Sequence, residues 1–399
     1  MDITISPGSL RGTVTAIPSK SQAHRVLICA AFADKTTKIQ CKQTNDDIEA
    51  TADCLRSLGA QINRTADGYE VLPIINIPSQ ATLNCAESGS TLRFMLPITG
   101  ALGVDATFEM SGRLPQRPLS PLWEEMKRMG CELSRPTAST IRCRGKLQAG
   151  IYTIDGGVSS QFITGLLFAT ALIPGESEIH ITGKLESAPY IRLTQQVLEE
   201  FGVHTHNYSI CGAFPFSSKG AFAIEGDWSN AAFFLAAQVM GNSVKMIGLN
   251  SASTQGDSAC AQILDEISKK HVTVDCKDIP DLVPILAVAA ASKFGAVFSN
   301  IARLRLKESD RVKSVLDMLN ALGAKGSADD NKMYILPSRF HGGTVNAAND
   351  HRIAMAAAIA ASVSSEPVNI LGADCVKKSY PSFWDVYRQL GGNYEQYIR

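Results

Sequence analysis

Residues 90–133 read STLRFMLPITGALGVDATFEMSGRLPQRPLSPLWEEMKRMGCEL, and two different helices are written into them. STLRFMLPITGAL (90–102) is apolar on nearly every side, the pattern of a helix buried inside a domain. PLWEEMKRMGCEL (121–133) spaces its apolar residues three and four apart, stops at a glycine and runs into a strand. Both kinds recur. The buried kind returns as QAHRVLICAAFA (22–33), QFITGLLFATAL (161–172), NAAFFLAAQVM (230–240), DLVPILAVAAAS (281–292) and HRIAMAAAIAASV (351–363). The amphipathic kind returns at 50–62, 195–205, 261–274, 314–326 and 383–394. The two alternate at about seventy-residue intervals, with a shorter step between the fourth and fifth copies.

Short alternating runs lie between the helices: TLNC, IYTID, EIHIT, FAIEG, AVFSNI and PVNIL. They predict strands. The chain therefore reads as six units of strand, buried helix, strand, surface helix and strand. Three units per domain give two α/β domains, each with its apolar helices inside and its sheets and amphipathic helices outside. One domain is expected over 19–225. The other takes 226–399 together with the N-terminal residues 1–18, whose ITI alternation suggests a strand.

The chain has 399 residues, 45% of them apolar, with 38 basic and 38 acidic side chains. That length exceeds one ordinary core. Net charge near zero argues against a general nucleic-acid or membrane-surface binder, so any anion site must be local. The longest apolar runs fall short of the ~18 residues a membrane span needs. The first residues, MDITISPGSLRG, lack the basic and apolar regions of a signal peptide. Ten cysteines without CxxC or metal-like spacing read as small apolar fillers in a reducing cytoplasm. No exposed apolar stripe stands out, so a monomer is expected.

Unusual polar residues gather where the buried helices begin: PSKSQAHR, ESGSTLR, GGVSSQF, EGDWSN, DIPDLVP and NDHR. Capping explains Ser, Asp and Asn there, and suffices for EGDWSN. It does not explain Lys20, Arg25, Arg93 or Arg352, because a cation at a helix N-terminus opposes the dipole unless an anion sits between them. His24 is read as lying on a different side of its helix from Lys20, and His351 as the histidine facing the site. Loops add Arg117 in GRLPQRP, Lys307, Glu308, Asp310 and Arg311 in RLRLKESDRVK, and Lys378 in CVKKSYP. On its own, RLKESDR reads as a solvated face. Taken together, the six helix mouths predict a basic cleft between two domains, rich in hydroxyls and holding a few carboxylates. Such a cleft suits small, multiply anionic substrates and acid–base chemistry.

The motifs together resemble the 5-enolpyruvylshikimate-3-phosphate synthase (EPSP synthase) family, in family order from PSKSQAHR to KKSYPSFWDV. ESGSTLRF, GRLPQRPL, SSQFITGLL, ESAPYI, EGDWSNAAFFLAA, IPDLVP and LRLKESDRV carry the likeness. The resemblance implies a two-domain inside-out α/β barrel, with three repeats per domain. It implies transfer of the enolpyruvyl group of phosphoenolpyruvate to the 5-hydroxyl of shikimate 3-phosphate, with no metal or organic cofactor. The two substrates carry about five to six negative charges, which accounts for the cations.

Carried over by motif, Ser159, Ser160 and Ser187 hold the shikimate phosphate. Gln161, Tyr190 and Arg25 contact the shikimate part, with Ser21 beside them and Lys307 as a further substrate-binding cation. Lys20, Gly89, Arg93, Arg117, Arg311, Arg352 and Lys378 surround phosphoenolpyruvate, with Lys20 and Gln161 serving both substrates. Asp281 orients the 5-hydroxyl and takes its proton. Glu308, with Lys20, protonates the methylene carbon, and His351 is a further catalytic candidate. Glu87 and Arg303 stand where many members have Asn and are not assigned to substrate. Gly89 implies inhibition by glyphosate. A sister enzyme uses UDP-N-acetylglucosamine, but its members carry a cysteine in the region of GRLPQRPL, and this loop has none. A non-catalytic anion binder on the same scaffold is the other alternative. It would have lost Lys20, Asp281 and Glu308, which are present.

Overall fold

The computed structural model describes residues 1–212 and 215–397. The chain divides into two compact units: an inserted unit, Pro18–Glu225, and a split unit, Met1–Ile17 with Gly226–Arg399. Each has its own continuous apolar core.

The inserted unit holds α1 (Lys20–Ala31), α2 (Asp46–Ser57), α3 (Gly89–Leu102), α4 (Leu122–Arg128), α5 (Ser160–Leu172) and α6 (Ala188–Glu200). The split unit holds α7 (Trp228–Val239), α8 (Cys260–Ile267), α9 (Val283–Ala291), α10 (Arg311–Ala321), α11 (His351–Ala361) and α12 (Phe383–Gln389). Odd-numbered helices are the apolar ones. Along α5 and α9 almost every residue is buried, and each large aliphatic or aromatic side chain so enclosed contributes about 1.5–3 kcal/mol. Even-numbered helices bury one stripe only. α6 begins seven residues before the amphipathic pattern at 195, because Ser187 and Pro189 start it.

One repeat shows the rule. Strand Gln80–Asn84 runs parallel to Asp105–Glu109, and α3 crosses between them. After α4 comes a hairpin, Cys131–Thr137 with Thr140–Gly145, whose second arm pairs antiparallel with Asp105–Glu109. The repeat thus ends in two strands where the sequence reading counted one. The arms carry charges such as Glu132, Arg142 and Arg144 on one face and are largely exposed, so their apolar signal is weak. The pattern recurs at 151–212 and 272–335. The copy around α7 lacks the hairpin: Arg11–Thr15 pairs in parallel with Ser243–Ile247, and α8 leads straight to Val272–Asp275. That missing hairpin is the shorter step in the sequence.

Chain ends complete the sheets. Strand Ala221–Ala223 pairs with Thr37–Gln40 to finish the first repeat of the inserted unit. Strand Asp2–Ser6 lies between Val368–Leu371 and Asn393–Tyr397. Among the described residues, no helix is long and apolar enough to cross a membrane.

Candidate active-site residues in the two units

In the inserted unit, the starts of α1, α3 and α5 are capped by Ser19, Ser88 and Ser159, whose hydroxyls accept from Gln22, Thr91 and Gln161 N–H groups. Lys20 opens α1 and its Nζ donates to Asp47 Oδ2 at 2.8 Å. Arg25, one turn deeper, is 3% exposed. Its Nε donates to Thr194 Oγ1 (2.9 Å), Nη1 to the Ser21 carbonyl (2.6 Å), and Nη2 to the Tyr190 carbonyl (3.0 Å) and Thr164 Oγ1 (3.4 Å). The guanidinium also lies over the Phe94 ring. These partners are neutral, and burial pulls Arg25 down to about 10.

α3 and α5 approach closely because Gly165 lies against the Arg93 carbonyl and the Pro97 ring, where a Cβ would collide with both. Pro97 has no N–H to give that carbonyl, which is why it is left to the neighbouring helix face. The close crossing lets Arg93 Nη1 reach Gln161 Oε1 (2.6 Å) while Gln161 Nε2 donates to Ser90 Oγ (2.9 Å). Arg93 Nη2 donates to the Pro118 carbonyl (3.0 Å) in the GRLPQRP loop. Arg117 from the same loop sits over Gly89: a Cβ there would lie 2.5 Å from Arg117 Nη1 and 3.1 Å from Arg93 Nη1. The start of α3 therefore faces two guanidinium groups, a built anion setting. Glu87 packs against Gly112 of that loop. Ser160 is the buried first residue of α5. Ser187, also buried, starts α6 in a left-handed conformation (φ 57°), a strain that non-glycine residues hold mainly at functional positions.

His24 corrects the sequence reading. It lies four residues after Lys20, hence on the same helix face, and both side chains meet α2. His24 Nδ1 pairs with Thr51 Oγ1 (2.7 Å), which continues to Thr91 Oγ1 (2.7 Å). Burial, with Lys20 and Arg25 nearby, holds the imidazole neutral.

In the split unit the centre is Arg311, at 0% exposure the largest fully buried side chain. RLKESDR is therefore no solvated face. Arg311 Nε donates to Asp350 Oδ2 (3.0 Å), Nη1 to Asp281 Oδ1 (2.7 Å) and Nη2 to Glu308 Oε2 (2.6 Å). Burial would lower its pKa, but Asp350, Glu308 and Asp281 together outweigh that and raise it. Arg352 Nη2 donates to Asp281 Oδ2 (3.0 Å), while Nη1 donates to Ser229 Oγ (2.7 Å) and the Asp281 carbonyl (3.2 Å). Lys307 Nζ lies 3.8 Å from Asp281.

Burial pushes Asp281 upward, yet Arg352, Lys307 and Arg311 outweigh it and hold the carboxyl well below the usual range. Burial brings Lys307 down to about 8, with Arg303 and Arg311 adding to the fall and Asp281 opposing it. Asp281 caps no helix, since α9 starts at Val283 after Leu282; its role is ionic. Asp227 does cap α7, as expected of EGDWSN. Lys378 Nζ donates to the Asn349 carbonyl (2.9 Å) at the turn into α11, where Ala348 and Asn349 are both left-handed. His351 is buried as the first residue of α11.

Several residues that organise these sites escaped the sequence reading. Asp47 holds Lys20, yet in NDDIE it reads as an ordinary acid in the first turn of a helix. Asp350 reads as the cap of NDHR, and it is one, accepting from Arg352 N–H (3.0 Å). It also receives Arg311 and the Ser309 hydroxyl (3.0 Å). Thr164 in apolar α5 and Thr194 on the buried stripe of amphipathic α6 look like filler but receive Arg25.

Comparison with known proteins follows the same lines. The sequence profile of the family EPSP synthase (3-phosphoshikimate 1-carboxyvinyltransferase) matches residues 5–387. Proteins named 3-phosphoshikimate 1-carboxyvinyltransferase from Clostridium kluyveri and Clostridium acetobutylicum are each 37% identical, covering 99% of this chain and 98% of theirs. An EPSP synthase from Acinetobacter baumannii has the same fold, with a TM-score of 0.81 at 22% identity over 99% of this chain and all of the other. The enolpyruvyl transferase NikO from Streptomyces tendae follows at 0.74 and 16% identity, over 99% of this chain and 98% of the other. The chain belongs to the EPSP synthase (3-phosphoshikimate 1-carboxyvinyltransferase) family.

Proposed function

We propose that this chain transfers the enolpyruvyl group of phosphoenolpyruvate to the 5-hydroxyl of shikimate 3-phosphate and releases phosphate. The observation that carries the reading is Asp281: an ionised carboxylate held by Arg352, Arg311 and Lys307. It combines a proton acceptor with the cations a phosphate needs. Its basicity is low while those cations face it, and rises once substrate anions share them.

In this reading Ser159, Ser160 and Ser187, at the starts of α5 and α6, take the shikimate phosphate. Arg25, Gln161, Tyr190 and Ser21 take the shikimate body, with Lys307 beside it. Lys20, Gly89, Arg93, Arg117, Arg311, Arg352 and Lys378 take phosphoenolpyruvate. The 5-oxygen bonds to C2 of phosphoenolpyruvate as Asp281 accepts the hydroxyl proton. Glu308 with Lys20 delivers a proton to the methylene carbon, His351 assisting. The tetrahedral adduct then loses that carbon's proton and expels phosphate, restoring the double bond. Nine of the ten cysteines are buried, in keeping with small apolar fillers, and we take the setting to be cytoplasmic. We take the working form to be a monomer.

Phosphate release from phosphoenolpyruvate tests the reading directly. It is expected with shikimate 3-phosphate and absent with UDP-N-acetylglucosamine. Asp281→Ala should lower the rate by about 10³-fold or more while phosphate ligands still bind. Release with the nucleotide sugar alone would overturn the serine assignments.

A further inference from the structure

The stretch STQGDSA (253–259) contributes nothing to the reading so far, yet two of its side chains point into the split unit. Gln255 Oε1 accepts from Trp228 N–H (3.2 Å) and its Nε2 donates to the Gly226 carbonyl (2.9 Å), which pins the stretch to the start of α7. Two residues on, Asp257 enters the same buried layer, 3% exposed.

Its route to the site is short. Ser229, in the first turn of α7, has one hydroxyl proton. Arg352 Nη1 donates to Ser229 Oγ (2.7 Å), so that proton is left for the Asp257 carboxylate, with which Ser229 is hydrogen-bonded. Arg352 thus faces two carboxylates: Asp281 directly, and Asp257 through one hydroxyl. Around Asp257 stand Asp281 and Arg352, Asp227 from the cap of α7, and the buried Cys260 thiol of α8. Burial raises Asp257 to about 6, Asp281 and Asp227 adding to the rise while Arg352 and the Ser229 hydrogen bond oppose it. A group so placed is divided between its two forms near neutral pH. A further negative charge at Arg352 favours the protonated form.

We propose that Asp257 is a positioning residue that acts on Arg352 through Ser229, and that it takes up a proton when Arg352 receives an anionic substrate. The substrate's charge then replaces an internal one, and Arg352 is never left facing two carboxylates and an anion together. This rests on the reading that Arg352 binds phosphoenolpyruvate.

Two measurements on the full chain test it. The first is the KM for phosphoenolpyruvate, from phosphate release with shikimate 3-phosphate, across pH. In the wild type KM should rise with pH above about 6 as Asp257 ionises. Asp257→Asn should remove the part of that rise that begins near pH 6, leaving only the alkaline limb near pH 8 where Lys307 loses its charge, with KM about tenfold below wild type at pH 8 and equal to it well below pH 6. The second is calorimetric titration with phosphoenolpyruvate alone, in buffers of different ionisation enthalpy. Wild type should take up more protons than Asp257→Asn at pH 7. Ser229→Ala is the companion variant. Without its donor Asp257 is more fully protonated before binding, so the extra uptake should shrink, while KM rises because Arg352 loses a partner.

Identical proton counts and parallel KM curves for wild type and Asp257→Asn would overturn the proposal, since a purely structural carboxylate moves neither. Should Asp257→Asn fail to fold, unchanged proton uptake in Ser229→Ala would overturn it equally. If the wild type releases no phosphate, the proposed reaction is wrong, and the calorimetric arm still decides the proton relay.

Discussion

Arg25 and Arg311 are both buried arginines near the start of a helix, one in each unit, and their surroundings are opposite. Arg25 is met by hydroxyls and carbonyls, and its pKa falls. Arg311 is met by three carboxylates, and its pKa rises. Neutral partners hold a guanidinium in place without cancelling its charge, so Arg25 keeps a full positive charge for an incoming anion. Carboxylate partners cancel the charge, so Arg311 first orients Asp281 and Glu308. An anion gains Arg311 by competing with one of them. The same residue type thus stands uncompensated among neutral groups in one unit and gathers carboxylates in the other.

The largest expected effect breaks this pair apart. Arg311→Leu leaves Asp350, Asp281 and Glu308 without their shared cation and should cost about 3–5 kcal/mol of stability, read by denaturant unfolding. Arg25→Leu removes an uncompensated cation and leaves only neutral groups, so its stability loss should be clearly smaller. Its KM for shikimate 3-phosphate should instead rise about 10²–10³-fold. Equal stability losses from the two variants would refute the distinction.

Gly89→Ala probes the charges at the start of α3. The added methyl must push Arg117 and Arg93 aside, so KM for phosphoenolpyruvate should rise about tenfold and glyphosate inhibition should weaken at least as much. Unchanged inhibition would mean that neither guanidinium faces the inhibitor. The smallest effect concerns Lys307. Its charge is present below pH 8 and lost as pH rises through about 8, so anion affinity should weaken across that window in the unliganded protein. Lys307→Gln should flatten this alkaline limb while changing affinity at pH 9 by no more than about threefold.

The alternation of all-apolar and one-sided helices was legible because burial on every face and burial on one face leave different periodicities. The cations were legible as violations of the helix dipole. Hidden from both rules were acids that obey them. Asp47 and Asp350 sit where a helix start welcomes an acid, so nothing in sequence separates an ordinary first-turn acid from one that also grips Lys20, or a cap from one that also grips Arg311. Asp281 stands where a cap would be expected, yet it caps no helix and pairs with Arg311 and Arg352. His24 was misplaced by an error of helical phase, not by missing information. The second hairpin strand was missed because its arms bury only their first few alternate residues and are exposed towards the turn and the far ends, which blurs period two.

The position of strand Asp2–Ser6 bears on how the protein is made. It pairs with Val368–Leu371 and Asn393–Tyr397, so this strand waits for two others made more than 360 residues later before its sheet can close. The inserted unit has all its strands once residue 225 has emerged. Vectorial synthesis therefore favours completion of the inserted unit first. Throughout that time the apolar alternation of ITI is without its strand partners in the nascent chain, free to pair elsewhere.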